Sequence, residues 1–238
     1  MIKHVALILD GNRRLAKELL KRPWEGHKMG VKTALNALQW ACEYGIKYIT
    51  AYVLSLENLA TRPKRELGYI MKYLGEECDA VLSDRGHPVH RLKVKVNFIG
   101  RTHVLPDWLQ AKLKAVEKAT ARYSKHVMNC AVAYGGQQEI TDAVREIVGK
   151  IMKGPISAAK LGTSITDKLI SQNLYTAGQP FPDLIIRTGG DRRLSNFLPY
   201  QSAYSELVFI DKRWPEMQRE DFLQAFEDFE SRQRRFGR

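Results

Sequence analysis

A single α/β domain built on a mostly parallel sheet is the fold class the sequence predicts, and three observations predict it. Short β-rich runs alternate with amphipathic stretches of helical length; the strand–helix–strand pattern reads five times along the chain; and no repeat or low-complexity linker divides residues 1–238. Antiparallel neighbours can be joined by a two-residue turn, whereas parallel strands need a long crossover, so this alternation implies crossovers.

His4–Leu9 (HVALIL) reads as a buried strand. Val31, Ala34, Leu35, Leu38, Ala41 and Cys42 recur at helical spacing, with Gly45 as a plausible stop. A second strand lies in Ile46–Leu56, and the stripe from Leu67 through Ile70, Leu74, Cys78 and Val81 marks a long helix. Lys93–Ile99 alternates as a third strand, and Leu109, Leu113, Val116 and Thr120 form a helical stripe after Pro106. Val127–Ala133 gives a fourth strand and Ile140, Val144, Ile147, Val148 and Ile151 another helix. Asp183–Arg187 and Glu206–Ile210 are the fifth and sixth strands. Lys153–Gly178 is the loosest stretch, and Phe222, Phe226 and Phe229 share one helical face that reads as core packing.

The chain has 238 residues, of which 44% are hydrophobic, enough for a globular core without covalent staples. Lys plus Arg outnumber Asp plus Glu by 38 to 26, a net charge of +12 that suits a polyanionic partner such as nucleic acid, anionic lipid or a phosphorylated substrate. No apolar run approaches the roughly 20 residues of a spanning helix. Met1-Ile2-Lys3-His4 carries no signal-peptide core, and Cys42, Cys78 and Cys130 are too scattered for a disulfide framework, so a reducing cytoplasm is expected.

Open parallel sheets bind ligands outside the carboxyl ends of their strands. The segments there are Asp10-Gly11-Asn12-Arg13-Arg14, Ser55-Leu56-Glu57-Asn58, Gly100-Arg101, Tyr134-Gly135-Gly136 and Arg187-Thr188-Gly189-Gly190-Asp191, all small, polar or charged. The first opens a helical stretch, where free backbone N–H groups favour phosphate; Gly11 lets the backbone approach a ligand closely and the arginines add charge-assisted donors. Asp10 beside phosphate makes sense with magnesium between them. A capped helix with solvated arginines would fit this segment equally. Arg187 to Asn196 repeats the arrangement, with two glycines for an anion-binding turn and Arg187, Arg192, Arg193 and Ser195 around it.

Other patterns fail. Gly26-x-x-x-Gly30-Val31-Lys32-Thr33 is too short for a P-loop, and Gly-x-Gly-x-x-Gly and Gly-x-Ser-x-Gly are absent. His87-Pro88-Val89-His90 reads as a solvated loop in preference to a metal site, and the tail arginines Arg232, Arg234, Arg235 and Arg238 as a solvated charge run.

Taken together, HVALILDGNRR, GHKMG, YVLSLEN, AYGG, DLIIRTGGDRRLSNFL, QSAYSELVF and RRFG closely resemble the cis-prenyltransferases, the undecaprenyl diphosphate synthase family, in the family's order over essentially the whole chain. The resemblance implies a homodimer, a central six-stranded sheet flanked by helices, a hydrophobic tunnel, and condensation of isopentenyl diphosphate onto an allylic prenyl diphosphate in Z configuration. The product would be a polyprenyl diphosphate, the precursor of a glycosyl carrier lipid, made by a cytoplasmic enzyme that can sit at the membrane surface and deliver product there. By this resemblance Asp10 holds magnesium and the allylic diphosphate, which Gly11, Asn12, Arg13 and Arg14 line. His27 contacts phosphate. Ser55, Leu56, Glu57 and Asn58 match Ser-x-Glu-Asn, with Asn58 assisting proton removal, and Arg62 approaches substrate. Arg187, Arg193, Leu194 and Ser195 form the isopentenyl diphosphate site. Glu206 completes the metal site across the dimer, and Arg235 and Gly237 reach the partner's site.

Some positions depart from the family. Arg13 replaces a frequent glycine, Leu15 and Leu59 replace tryptophans, Pro199-Tyr200 replaces Leu-Trp, and Pro23 stands where many relatives carry a diphosphate-binding arginine, a place Arg22 can fill. Two other readings compete: a non-catalytic basic module for phosphate or nucleic acid, and an inactive accessory subunit. Arginines distributed over strand ends disfavour the first, and retention of Asp10 and the Arg-x-Gly tail disfavours the second.

Overall fold

A computed structural model describes residues 1–153 and 165–231. The strands are β1 (His4–Ile8), β2 (Tyr48–Ser55), β3 (Val94–Ile99), β4 (His126–Tyr134), β5 (Leu184–Thr188) and β6 (Glu206–Ile210). They form one sheet in the order β3-β4-β2-β1-β5-β6, every pair parallel. β1 and β5 are buried along their whole length, as expected of inner strands covered on both faces. β3, at one border, alternates between buried and half-buried residues.

The helices are α1 (Asn12–Glu18), α2 (Pro23–Glu43), α3 (Leu56–Thr61), α4 (Lys64–Ser83), α5 (Pro88–Arg91), α6 (Asp107–Thr120), α7 (Gly136–Lys153), α8 (Asp167–Ser171) and α9 (Arg219–Ser231). α2 begins with Pro23 in its first turn, where a missing N–H costs nothing, and ends before Gly45, whose φ of 89° only glycine adopts cheaply. The expected alternation breaks once: among the described residues the connection from β5 to β6 carries no α-helix, because Gly189 and Gly190 turn the chain into a loop.

Period-two alternation divides the core. Val5 and Leu7 of β1 face a large cluster with Leu38, Leu109, Trp214 and Phe222, while Ala6 and Ile8 face a smaller one with Tyr134, Ile185, Phe197 and Leu198. Phe222, Phe226 and Phe229 are buried, as their spacing suggested. The His87–His90 segment is not a solvated loop. It forms the short helix α5, and both rings are buried and bonded: His87 to Glu77, His90 to Tyr123 and to the carbonyl of Val81.

Candidate active site

β1 has β2 on one side and β5 on the other, so the order of connection reverses beside it, and a crevice opens at the carboxyl ends of β1 and β5. Ile8 pairs with Arg187 across that boundary, which sets Asp10 beside the Arg187 side chain. Asp10 is fixed from behind: its carbonyl accepts from Trp214 N and from Thr188 Oγ1, each at 2.8 Å. Its carboxylate accepts from Gly11 N at 2.6 Å and Arg187 Nη2 at 2.8 Å, with Arg14 Nη2 3.3 Å away. Partial burial alone would raise the Asp10 pKa, but the hydrogen bonds from Arg187 and Gly11 and the charges of Arg187 and Arg14 outweigh it and hold the carboxyl below its ordinary value.

Two glycines make this packing possible. A Cβ on Gly11, at φ 107°, would lie 2.6 Å from Cβ of Arg213, so the close approach it permits is to Arg213. A Cβ on Gly189, at φ 87°, would meet Arg14 Nη2 at 2.6 Å and the Asp10 carbonyl at 3.1 Å. Near the end of β5, Arg187 is only 4% exposed and donates to Ser195 Oγ at 2.8 Å and to the Arg193 carbonyl in the loop that follows. Ser195, Asn196 and Leu198 all hold positive φ, a concentration of backbone strain next to the crevice. Asn196 ties this loop to β2's end by donating to Glu57 at 2.8 Å. Leu194 packs with Tyr52 on the smaller core.

On the other side, α4 brings in a group the sequence did not single out. Glu66 is buried, and its Oε1 accepts from Arg62 at 2.6 Å and lies 3.1 Å from His27 Nε2, which Arg62 Nη1 also approaches at 3.0 Å, with Arg13 at 3.6 Å from the carboxylate. Burial, with the nearby Arg62 and Arg13 charges, lowers the His27 pKa against the opposing pull of Glu66, so the imidazole is neutral at neutral pH. Ser55 Oγ accepts from Asn58 N at 3.0 Å and so caps α3, which begins at Leu56.

These residues border two connected spaces. A polar depression of about 870 Å³ is lined by Asp10 to Arg14, His27, Arg62, Asp191 and Arg193, together with Lys17 and Lys21. An apolar cavity of about 700 Å³ shares Asp10, Asn12, His27, Arg62 and Arg193 with it, includes Ser55, Asn58, Arg187 and Ser195, and runs inward between the sheet, α2 and α4. Among the described residues, four buried side-chain polar atoms lack a hydrogen-bond partner, and three of them, Asn12 Oδ1, Arg62 Nε and Arg187 Nε, belong to residues that line the cavity.

Two expected members lie elsewhere. Arg22 caps the start of α2 and its guanidinium lies over the Trp24 ring, 5.4 Å from the centroid, while Lys21 borders the depression. Glu206 opens β6 and pairs with Leu184, at the sheet edge opposite Asp10. Arg235 and Gly237, with the other tail arginines, fall outside the described residues. Glu66 carried no sequence signal separating it from the charged Lys64-Arg65-Glu66 run; only the packing of α4 on α2 shows it buried.

An apolar cavity whose mouth carries arginines paired with Asp10, Asp191 and Glu66 suits a class of protein: an enzyme that holds an anionic group at the surface and an apolar chain in the interior. Residues 8–237 match the family described as putative undecaprenyl diphosphate synthase. A tritrans,polycis-undecaprenyl-diphosphate synthase (geranylgeranyl-diphosphate specific) of Methanopyrus kandleri is 44% identical, over 99% of this chain and 84% of the relative. An isoprenyl transferase of Thermus thermophilus is 40% identical, over 100% of this chain and 89% of the relative. Among solved structures, lavandulyl diphosphate synthase from Lavandula x intermedia, in complex with dimethylallyl diphosphate, superposes with a TM-score of 0.91 at 32% identity, covering 100% of this chain and 98% of that one. The chain belongs to the undecaprenyl diphosphate synthase family of cis-prenyltransferases. It is a prenyltransferase that elongates a prenyl diphosphate, and the non-enzymatic readings of its basic charge fall away.

Proposed function

We propose that the enzyme adds isopentenyl diphosphate repeatedly to an allylic primer of geranylgeranyl size, giving a Z-configured product of undecaprenyl length. The observation that carries this reading is the junction of the two spaces, where Asp10, Asn12, His27, Arg62 and Arg193 line both the depression and the apolar cavity. The primer and product length come from the names of the archaeal relatives.

In this reading the allylic diphosphate occupies the depression beside Asn12, Arg13, Arg14, His27 and Arg62, and its tail enters the cavity. Isopentenyl diphosphate sits against Arg187, Arg193 and Ser195. The Asp10 carboxylate, kept ionised by Arg187, Arg14 and Gly11, is a hard oxygen donor suited to share magnesium with phosphate oxygens. When bound, the ion would neutralise charge on the departing diphosphate. The allylic C1–O bond breaks, with its electron pair leaving on diphosphate. The terminal carbon of the isopentenyl alkene bonds to the allylic C1, leaving a cation at C3 of the isopentenyl unit, and a proton leaves C2 of that same unit for a phosphate oxygen, forming the new C2=C3 double bond. Preorganised guanidinium and backbone N–H donors stabilise the leaving charge. Asn58, an amide that takes no proton itself, orients the isopentenyl group for that loss.

A second chain is part of the reading. Val144, Val148 and Met152 lie one helical turn apart along α7 and are all exposed, an apolar stripe suited to a homodimer interface. No helix among the described residues is long and apolar enough to cross a membrane. In this reading the enzyme works in the cytoplasm, passing its product to a membrane surface.

The test is incubation with labelled isopentenyl diphosphate and primers from dimethylallyl to geranylgeranyl diphosphate, with products sized. Extension of the geranylgeranyl primer to undecaprenyl length is expected. Efficient extension from the shortest primers alone, or diphosphate binding without extension, would overturn the reading.

A further inference from the structure

The wall of the apolar cavity contains a polar pair for which the chemistry above has no use. Glu77 lines the cavity from α4, eleven residues beyond Glu66. Eleven residues make close to three turns, so both carboxylates lie near the same face, about 16 Å apart along the axis. Glu66 stands with Arg62 and His27, which line the mouth, and Glu77 lines the cavity about three turns further along α4. The Glu77 Oε1 accepts from Nε2 of His87 at 2.9 Å. The tautomer follows from the other ring nitrogen: Nδ1 of His87 accepts from Val89 N at 3.2 Å, so the proton sits on Nε2 and points at Glu77. The histidine is buried and its hydrogen bonds fix it, while the Glu77 side chain stays 27% exposed. Val81 and Val89, each 4% exposed, and Val116, 1% exposed, line the cavity as well and are apolar.

We propose that Glu77, held by His87, limits product length by making the last open part of the cavity hostile to an apolar chain. Each turnover pushes the tail further along walls that reward it by burying methylenes. At Glu77 the reward reverses, because the tail must strip water from a carboxylate with only one protein hydrogen bond to replace it. Further growth then competes poorly with release. The inference rests on the proposed function, since it assumes that the tail occupies this cavity.

The decisive variant is Glu77→Leu combined with His87→Leu, which removes both polar partners together. Its first condensation, read with a single-turnover primer assay, should match wild type within about twofold, while the product distribution moves up by at least one isoprene unit. Glu77→Gln, which keeps a polar group facing His87, should retain the wild-type length. Unchanged product length in the folded double variant, or lengthening by Glu77→Gln equal to that of the double variant, would overturn the proposal while leaving prenyl transfer intact. Loss of prenyl transfer by the wild-type protein would instead overturn the underlying reading. A measurement on the wild-type chain decides the matter if the double variant does not fold. Full-length prenyl diphosphate with a diazirine at its far end should cross-link to peptides containing Glu77 or His87, and cross-linking confined to other cavity walls would overturn the assignment.

Discussion

Nη2 of Arg187, inside β5, donates to the Asp10 carboxylate just past β1 at 2.8 Å, across the boundary between the two central strands. The same guanidinium donates to Ser195 and to the Arg193 carbonyl, so one buried cation organises both sides of the crevice. Asp10→Ala should therefore leave the fold in place, because Arg187 keeps two partners, while abolishing useful turnover. Losing several kcal/mol of leaving-group stabilisation slows the reaction by about three orders of magnitude or more. Circular dichroism and a saturating-magnesium rate assay check this; a near-normal rate would remove Asp10 from the chemistry.

Arg193 separates the two substrates better than Arg187 does. Its side chain is 63% exposed and pairs at 3.1 Å with Asp191, so its removal disturbs little else. Arg193→Ala should raise KM for isopentenyl diphosphate about tenfold or more, the loss of one charge-assisted hydrogen bond of roughly 1.5–3 kcal/mol, with a smaller change for the allylic primer. Arg187→Ala should raise both, because it also strips Asp10 of its partner. Equal effects of Arg193→Ala on the two substrates would refute separate subsites.

All six strands were legible because they are short apolar runs ended by glycine, asparagine or charge, and parallel pairing followed from the crossovers. The crevice was legible for a related reason: the residues that end those strands carry its chemistry. What depended on packing was not. Arg22 is one residue from the expected arginine position, yet the turn into α2 carries its guanidinium over Trp24. His87 and His90 look like loop residues because Pro88 and Gly86 surround them, but the fold uses both rings as buried hydrogen-bonding groups. Glu66 reads as one more charge on a charged helix until His27 and Arg62 converge on it.

His4 makes stability pH-dependent. It is fully buried at the start of β1, bonded to the Pro180 carbonyl at 2.7 Å and Thr50 Oγ1 at 2.8 Å, and burial lowers its pKa from 6.5 to about 4. The unfolded chain binds a proton at His4 from about pH 6.5 downward, whereas the folded chain does so only near pH 4. Stability should fall as pH drops across that window, by at most about 3 kcal/mol. Thermal melts of wild type and His4→Asn at pH 7 and pH 4.5 check the sign, the wild type losing more Tm. Parallel losses would place the pH dependence elsewhere.

Cys78 and Cys130 line the apolar cavity, and burial pushes both thiols up to about 12. Both should react slowly with iodoacetamide at neutral pH, since the thiolate is the nucleophile. A long-chain prenyl diphosphate should slow them several-fold further without affecting Cys42, which lies outside the cavity with a thiol likewise pushed up to about 12. Mass spectrometry of labelled peptides gives the three rates. Protection of Cys42 alone, or of none, would show that the tail lies elsewhere.

Glu206 and Asp10 can serve one metal site only if two chains meet. Asp10 lies at the level of Gly189, five residues past the Leu184 that pairs with Glu206. That places the two roughly 16 Å apart along the strands and two strand spacings of about 4.8 Å across the sheet. A carboxylate side chain does not span that gap, so a joint role requires Asp10 of one subunit and Glu206 of the other. Asp10→Ala and Glu206→Ala homodimers should both be inactive. A hybrid of the two has one site lacking both carboxylates and one site retaining both. Differently tagged chains, co-expressed and purified as verified hybrids, should recover activity from that single intact site. Truncation after Ser231, which removes Arg235 and Gly237, should complement Asp10→Ala in the same way if the tail also acts across the interface. Inactive hybrids, or a Glu206→Ala homodimer with full activity, would show that Glu206 takes no part in the Asp10 site.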